Sequence, residues 1–153
     1  HDGGEAYLNC RATIPIVRGS YLFSLGKLVM TRTVLVVEDE PLIRIGAIDL
    51  IADAGYAVLE ATNADEAILL LESHPEIRVV FSDVEMPGSM DGLKLMHAVR
   101  ERWPRVTLIL ASGQMVPHLS EMPTDTAFLR KPYGDEELLQ LLGAIDWGEA
   151  VSA

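Results

Sequence analysis

The sequence predicts an α/β fold: a doubly wound, five-stranded parallel sheet with helices on both faces. Three observations predict it. From Thr33 onward, short β-branched apolar runs alternate with segments of helical period, five times over, which is the pattern of strands joined by crossover helices. The runs are apolar throughout, as strands covered on both faces are. Three of them end in charges that a buried strand would not favour: Val34–Val37 leads into Glu38-Asp39-Glu40, Val79–Ser82 into Asp83, and Ala127–Leu129, after Arg130, into Lys131-Pro132. In open parallel sheets, ligands bind beyond the carboxyl ends of the strands where strand order reverses. These charges are therefore expected to meet at one site.

Each element has a local reason. Thr33–Val37 is the first strand, and Pro41 suits the first turn of the helix after it. That helix is expected to turn Ile43, Ala47, Leu50 and Ala54 inward and to stop at Gly55. Tyr56–Ala61 is the second strand. Asn63 is placed as an N-cap with Glu66 three residues on, Ala67, Leu70 and Leu71 face inward, and His74-Pro75 ends the helix. Arg78–Ser82 is the third strand, which delivers Asp83, and Met86–Ser89 is a loop. A helix over Asp91–Arg102 ends at Trp103-Pro104, and Val106–Ala111 is the fourth strand. Between Gly113 and Asp125, Pro117 and Pro123 interrupt any apolar period, so at most one or two helical turns are expected there. Ala127–Arg130 is the fifth strand, and a last helix over Asp135–Ile145 packs on Leu138, Leu141, Leu142 and Ile145.

Composition narrows the function classes. With 153 residues, 49% of them hydrophobic, the chain has material for one core. Residues 1–30 read as an N-terminal extension without a function, 31–146 as the folded domain, and 147–153 as a short C-terminal tail. The net charge of −11 disfavours direct binding to nucleic acid or to anionic membrane. Cys10 is the only cysteine, which excludes an internal disulfide or a Cys-x-x-Cys pair and fits the cytoplasm. No apolar run approaches the roughly 18 residues of a spanning helix.

Glu38, Asp39 and Asp83 within several ångströms of one another would repel by roughly 3 kcal/mol per pair at about 5 Å and an effective dielectric near 20. Lys131 offsets part of this, and a hard dication such as Mg²⁺ suits the remainder. Asp83, after the central strand, is a carboxylate of the kind that forms an aspartyl phosphate, with Ser112 and Lys131 as donors to phosphoryl oxygens. A cis Lys131-Pro132 bond would aim the ammonium inward. A haloacid-dehalogenase-type phosphatase is less suited, because Glu40 and Pro41 follow Asp39 where a second aspartate is wanted. A flavodoxin-like cofactor binder is less suited too, because the acidic triplet would repel a phosphate. His74, His97 and His118 lack metal-ligand spacing and read as structural or solvated.

The segments VLVVEDEP (34–41), VVFSDVEMPG (79–88), DGL (91–93), LILASG (108–113) and FLRKPY (128–133), in this order, closely resemble the receiver domain of two-component response regulators. The resemblance implies a flavodoxin-like strand order 2-1-3-4-5. It also implies phosphotransfer from a sensor histidine kinase, or a phosphotransfer protein, onto Asp83. Asp39 and Asp83 are then direct Mg²⁺ ligands, the backbone carbonyl of Glu85 a third, and Glu38 acts through water. Ser112 becomes the switch hydroxyl, Lys131 the phosphoryl-binding lysine, and Phe128 the aromatic that changes rotamer. Glu85 and Gln114 take the positions that tune dephosphorylation. Such a protein is a phosphoacceptor switch that assists its own chemistry rather than an enzyme, and its output is a downstream target protein. Homodimerisation stays open. Ser89 lengthens the loop after Asp83, and the short, proline-bearing stretch from Ser112 to Lys131 implies a truncated fourth helix, as in single-domain regulators.

Overall fold

The computed structural model describes residues 32–86, 88, 90–113 and 117–147, together with residues 23–24 and 27–28. The last four form a short antiparallel ladder, Phe23–Ser24 against Lys27–Leu28. The body runs β1 (Thr33–Val37), α1 (Pro41–Asp53), β2 (Ala57–Ala61), α2 (Ala64–Ser73), β3 (Ile77–Asp83), α3 (Gly92–Arg102), β4 (Thr107–Ser112), a 3₁₀ turn (Leu119–Glu121), β5 (Thr126–Arg130) and α4 (Asp135–Gly143). The five strands are all parallel, in the order β2-β1-β3-β4-β5. Chain order reverses between β1 and β3. The crevice at their carboxyl ends is therefore where a ligand is expected.

Alternation along each strand divides the core in two. Leu35, Val37, Val80, Leu108 and Leu110 pack with Ala67 and Leu71 of α2 and Leu95, Met96 and Val99 of α3. Val34, Val36, Phe81 and Ile109 pack on the other face with Ile48 and Ile51 of α1 and Leu138 and Leu142 of α4. This two-sided burial explains why the strands are apolar without a break. Each fully buried Leu or Ile contributes about 1.5–3 kcal/mol by leaving water.

Asn63 caps α2 as expected, and Asp91, expected inside its helix, is the N-cap of α3. Asn63 Oδ1 accepts the Glu66 N–H at 2.9 Å, while Glu66 Oε1 accepts from the Thr62 N–H at 2.7 Å and the Thr62 hydroxyl at 2.9 Å. Asp91 Oδ1 accepts the Lys94 N–H at 2.9 Å at the start of α3, and the Gly134 N–H donates to Glu137 Oε1 at 2.9 Å at the start of α4. The bonds to Asn63 and Asp91 satisfy first-turn amides that the helix itself leaves unpaired.

Several expectations need correction. Helix α1 buries Ala47, Ile48 and Ile51, whereas Ile43 is exposed, Leu50 half-buried and Ala54 exposed. Its apolar residues surround the whole circumference, so periodicity cannot set its rotation. Contact with the sheet sets it. Tyr56 and Val106 lie just outside β2 and β4, and β3 extends through Ile77 and Asp83. Trp147, expected in the tail, is buried, stacks on Tyr56 at 5.3 Å between ring centroids, and donates Nε1–H to the Leu142 carbonyl at 3.3 Å.

Between β4 and β5 the only helix among the described residues is the single 3₁₀ turn, as the prolines predicted. It is tied down at both ends. The His118 N–H donates to Glu121 Oε1 at 2.8 Å, and His97 Nε2–H of α3 donates to the Glu121 carbonyl at 2.6 Å. His97 thus has a structural partner. Among the described residues, no helix is long and apolar enough to cross a membrane.

Candidate functional site

Parallel pairing delivers the charged residues to one edge of the sheet. The Glu38 N–H donates to the Ala61 carbonyl at 3.0 Å, the Val84 N–H to the Ala111 carbonyl at 2.9 Å, and the Lys131 N–H to the Ser112 carbonyl at 2.9 Å. These bonds carry the ladder past the last strand residues and hold the loops in register. Arg44 braces the first loop, donating from Nη1 to the Glu38 carbonyl at 2.9 Å and from Nε to Glu60 Oε1 at 2.8 Å.

The structure brings together four of the residues singled out from sequence. One carboxylate oxygen each from Glu38, Asp39 and Asp83 lies within 4.8 Å of the other two. Lys131 Nζ stands 3.3 Å from Asp83 Oδ2 and 3.6 Å from Glu38 Oε1. Glu38 and Asp83 are buried and Asp39 is exposed, so the cluster opens to solvent through Asp39. At an effective dielectric near 20 the Lys131–Asp83 attraction is about 5 kcal/mol before desolvation is subtracted. One ammonium does not balance three carboxylates.

The electrostatics follow from burial. Desolvation is the largest influence on Glu38 and raises its pKa above the ordinary carboxyl value; the Asp83 charge adds to the rise, while the Glu40 N–H and Lys131 oppose it. Asp83 is likewise raised, by burial first, with Lys131 opposing. Tyr133 is pushed up to about 12 by burial and by the neighbouring carboxylates Glu38 and Asp83. Its ring meets Phe81 edge-on at 5.9 Å. Tyr133 lines a cavity of about 10 Å³ with Glu38, Asp83 and Lys131, a volume on the scale of one water molecule or small ion.

Asp83 Oδ1 is buried and has no hydrogen-bond partner among the described residues. Buried polar atoms are nearly always paired, so an orphan oxygen in a carboxylate cluster points to a partner of another kind. Three hard oxygen donors from the carboxyl ends of two adjacent strands suit a divalent cation such as Mg²⁺. The residues fit the ion.

The remaining candidates are distributed around this centre. Ser112 is buried at the end of β4 and its hydroxyl donates to Glu85 Oε2 at 3.1 Å, linking two residues that the sequence did not pair. Phe128 is half-buried against the core shared with α2 and α3. The Lys131-Pro132 bond is cis. Gln114 and Ser89 lie outside the described residues.

Sequence reasoning missed two supports of Asp83. The Ser82 hydroxyl donates to the Asp83 carbonyl at 2.9 Å, and a β-carbon on Gly92 would fall 1.8 Å from that carbonyl oxygen. Only a glycine lets the first turn of α3 lie this close to the β3 exit. Its place beside Asp91 in the DGL segment was the available signal, but spacing alone does not show what the backbone touches.

Known proteins share this fold. The family model for the response regulator receiver domain matches residues 34–143. Sensor kinase CckA of Brucella abortus (strain 2308) is 36% identical over 110 residues, spanning 69% of this chain but 12% of that relative's own length. The receiver domain of the hybrid histidine kinase CckA superposes with a TM-score of 0.62 at 33% identity, covering 72% of this chain and 95% of that one. A response regulator receiver protein from Sinorhizobium medicae WSM419 gives a TM-score of 0.69 at 27% identity, covering 74% and 96%. With the family pattern running over most of its length and the strand order to match, the chain belongs to the receiver domains of two-component response regulators, phosphoacceptor switches that interact with histidine kinases or phosphotransfer proteins.

Proposed function

We propose that this chain is a response-regulator receiver domain that accepts a phosphoryl group on Asp83 from the phosphohistidine of a sensor kinase or a phosphotransfer protein. The observation that carries this reading is the Asp83 carboxylate itself. One oxygen is held by Lys131 at 3.3 Å and the other is buried without a partner among the described residues. A nucleophile needs a free oxygen with a fixed direction.

In this reading one Asp83 carboxylate oxygen forms the new P–O bond while the P–N bond to the donor imidazole breaks, the imidazole nitrogen keeps the electron pair, and the other Asp83 oxygen remains for the ion. Asp39, Asp83 and the backbone carbonyl of Glu85 would hold Mg²⁺ directly, and Glu38 would act on it through water. Bound there, the ion neutralises charge on the phosphoryl oxygens in transit. Lys131 donates to one of those oxygens. Ser112 leaves Glu85 Oε2 and donates to another, and Phe128 turns with it. Glu85 and Gln114 tune the approach of hydrolytic water to the acyl phosphate. Phosphorylation adds about −1.5 to −2 charge to a centre already short of cations, which is a strong bias on the loops that carry Ser112 and Lys131. The reading further includes cytoplasmic location and an output through a target protein rather than through nucleic acid.

Docking of the donor falls to α1. Leu42 is 80% exposed, and Ile43 and Ile45 are 43% and 50% exposed, on the helix that begins three residues past Glu38. Scattered exposed aliphatics are ordinary, but three within four residues beside a phosphoacceptor suit a partner surface.

Incubation with Mg²⁺ and a small phosphodonor such as acetyl phosphate tests the reading. One acid-stable, base-labile adduct is expected, and it should vanish in Asp83→Asn. An adduct that persists in that variant assigns the acceptor elsewhere.

A further inference from the structure

At the opposite end of the sheet from Asp83 lies a cavity of about 530 Å³, bounded by the amino ends of β1, β3 and β4 and the carboxyl ends of α2 and α3. Its volume is within the range of small-molecule sites, roughly 300–1,000 Å³. Leu71, Ile77 and Val106 provide an apolar floor, and Trp103 and Trp147 stand at the wall. Around it are Arg32, Arg78, Arg102 and Arg105. Four guanidiniums at one place are unexpected in a chain with a net charge of −11.

Helix dipoles explain only part of this. Arg102 lies in the last turn of α3, where a cation complements the carbonyl end, and it pairs with Glu72 at 2.7 Å. Arg32, Arg78 and Arg105 belong to no helix. Arg32 lies over the Trp147 ring at 5.7 Å, which orients its guanidinium along the wall. Among the described residues, the side chains of Arg78 and Arg105 make no hydrogen bond or ion pair. Glu72 and Glu76 supply two negative charges against four positive ones, so the lining is cationic on balance. The adjoining turn is held rigid, because Arg100 Nη1 donates to the carbonyls of Pro104 and Val106, both at 3.0 Å.

We propose that this cavity binds a small organic phosphate: a phosphate group held by Arg78 and Arg105, and an apolar body seated on the floor between the tryptophans. Guanidinium forks match phosphate oxygens in pairs, which a lone ammonium does not do. The apolar floor distinguishes the site from a patch that attracts any anion. The ligand reads out at the sheet end remote from Asp83, so the inference stands whether or not Asp83 is the phosphoacceptor.

Both tryptophans of the chain line the cavity, so their intrinsic fluorescence reports its occupation. The full chain is titrated without Mg²⁺ with phenyl phosphate, adenosine 5′-monophosphate, inorganic phosphate and phenol, with calorimetry alongside. Saturable binding of at least one organic phosphate is expected, about tenfold or more tighter than inorganic phosphate or phenol; Arg78→Ala and Arg105→Ala should each weaken it by about tenfold, since each removes a charge-assisted contact. Asp83→Asn should bind as the parent does. Failure of both organic phosphates to saturate overturns the proposal. So does affinity that both arginine variants leave unchanged, or inorganic phosphate binding as tightly as its esters.

Discussion

Replacing Gly92 by alanine tests how closely the phosphoacceptor depends on backbone contact. A β-carbon there would lie 1.8 Å from the Asp83 carbonyl oxygen, 2.7 Å from its carbonyl carbon and 2.9 Å from Val84 Cα. All three are main-chain atoms, so no side chain can turn aside. Ordinary contact begins near 3.4 Å, so the two backbones must separate by about 1.6 Å. The Gly92 N–H donates to the Val84 carbonyl at 2.8 Å, and that bond is lost or stretched by the same movement. Overpacking of this kind costs roughly 1–3 kcal/mol, and the lost hydrogen bond about 1 kcal/mol more. The larger effect is on rate. Displacing a reacting group by about 1 Å lowers the rate on the order of 100-fold, so Gly92→Ala should accept phosphate from acetyl phosphate about 100-fold more slowly while remaining folded. Circular dichroism and a urea midpoint establish the fold, and time courses of adduct formation give the rate. Gly46→Ala is the control, because nothing lies within 4 Å of a β-carbon at that helical position. It should gain about 1 kcal/mol and keep its rate. A parental phosphorylation rate in folded Gly92→Ala would refute the claim that close approach of α3 aims Asp83.

Lys131→Ala should still bind Mg²⁺ but fail to alter its partner binding on phosphorylation, and undiminished switching in a pull-down with the phosphorylated variant would remove Lys131 from the coupling. Burial raises Glu38 and Asp83, so the folded protein holds protons that the unfolded chain has released; their stabilising contribution is therefore complete below the ordinary carboxyl pKa and is lost as pH rises through the raised values. Urea midpoints without Mg²⁺, compared with those of Glu38→Gln/Asp83→Asn, should show parent falling relative to variant as pH climbs from about 4 to 8. Mg²⁺ should restore the parent alone at the upper end, since it binds only the folded site, and a difference that is flat with pH would contradict the assigned burial. Leu108→Ala, in the sealed centre of β4, should cost about 2–5 kcal/mol of unfolding free energy, and a loss well under 1 kcal/mol would mean that the core around it collapses to fill the space.

The sequence by itself determined the strands, their parallel arrangement and the residues at their ends. Those signals are local: a strand covered on both faces is apolar throughout, Asn63 caps because its side chain reaches an amide three residues on, and Pro117 and Pro123 cannot continue a helix. Glu38, Asp39, Asp83 and Lys131 were legible as one site because strand polarity alone sends them to the same edge. Only the tertiary structure decided the rotation of α1, the pairing of Ser112 with Glu85, the tie from His97 to Glu121, the place of Trp147 in the core and the arginine-lined cavity. Each of these joins residues far apart in the chain, or chooses among several apolar faces that the helix offers equally. A local pattern states what a segment can bury or bond; which neighbour receives it is settled when the layers close on one another.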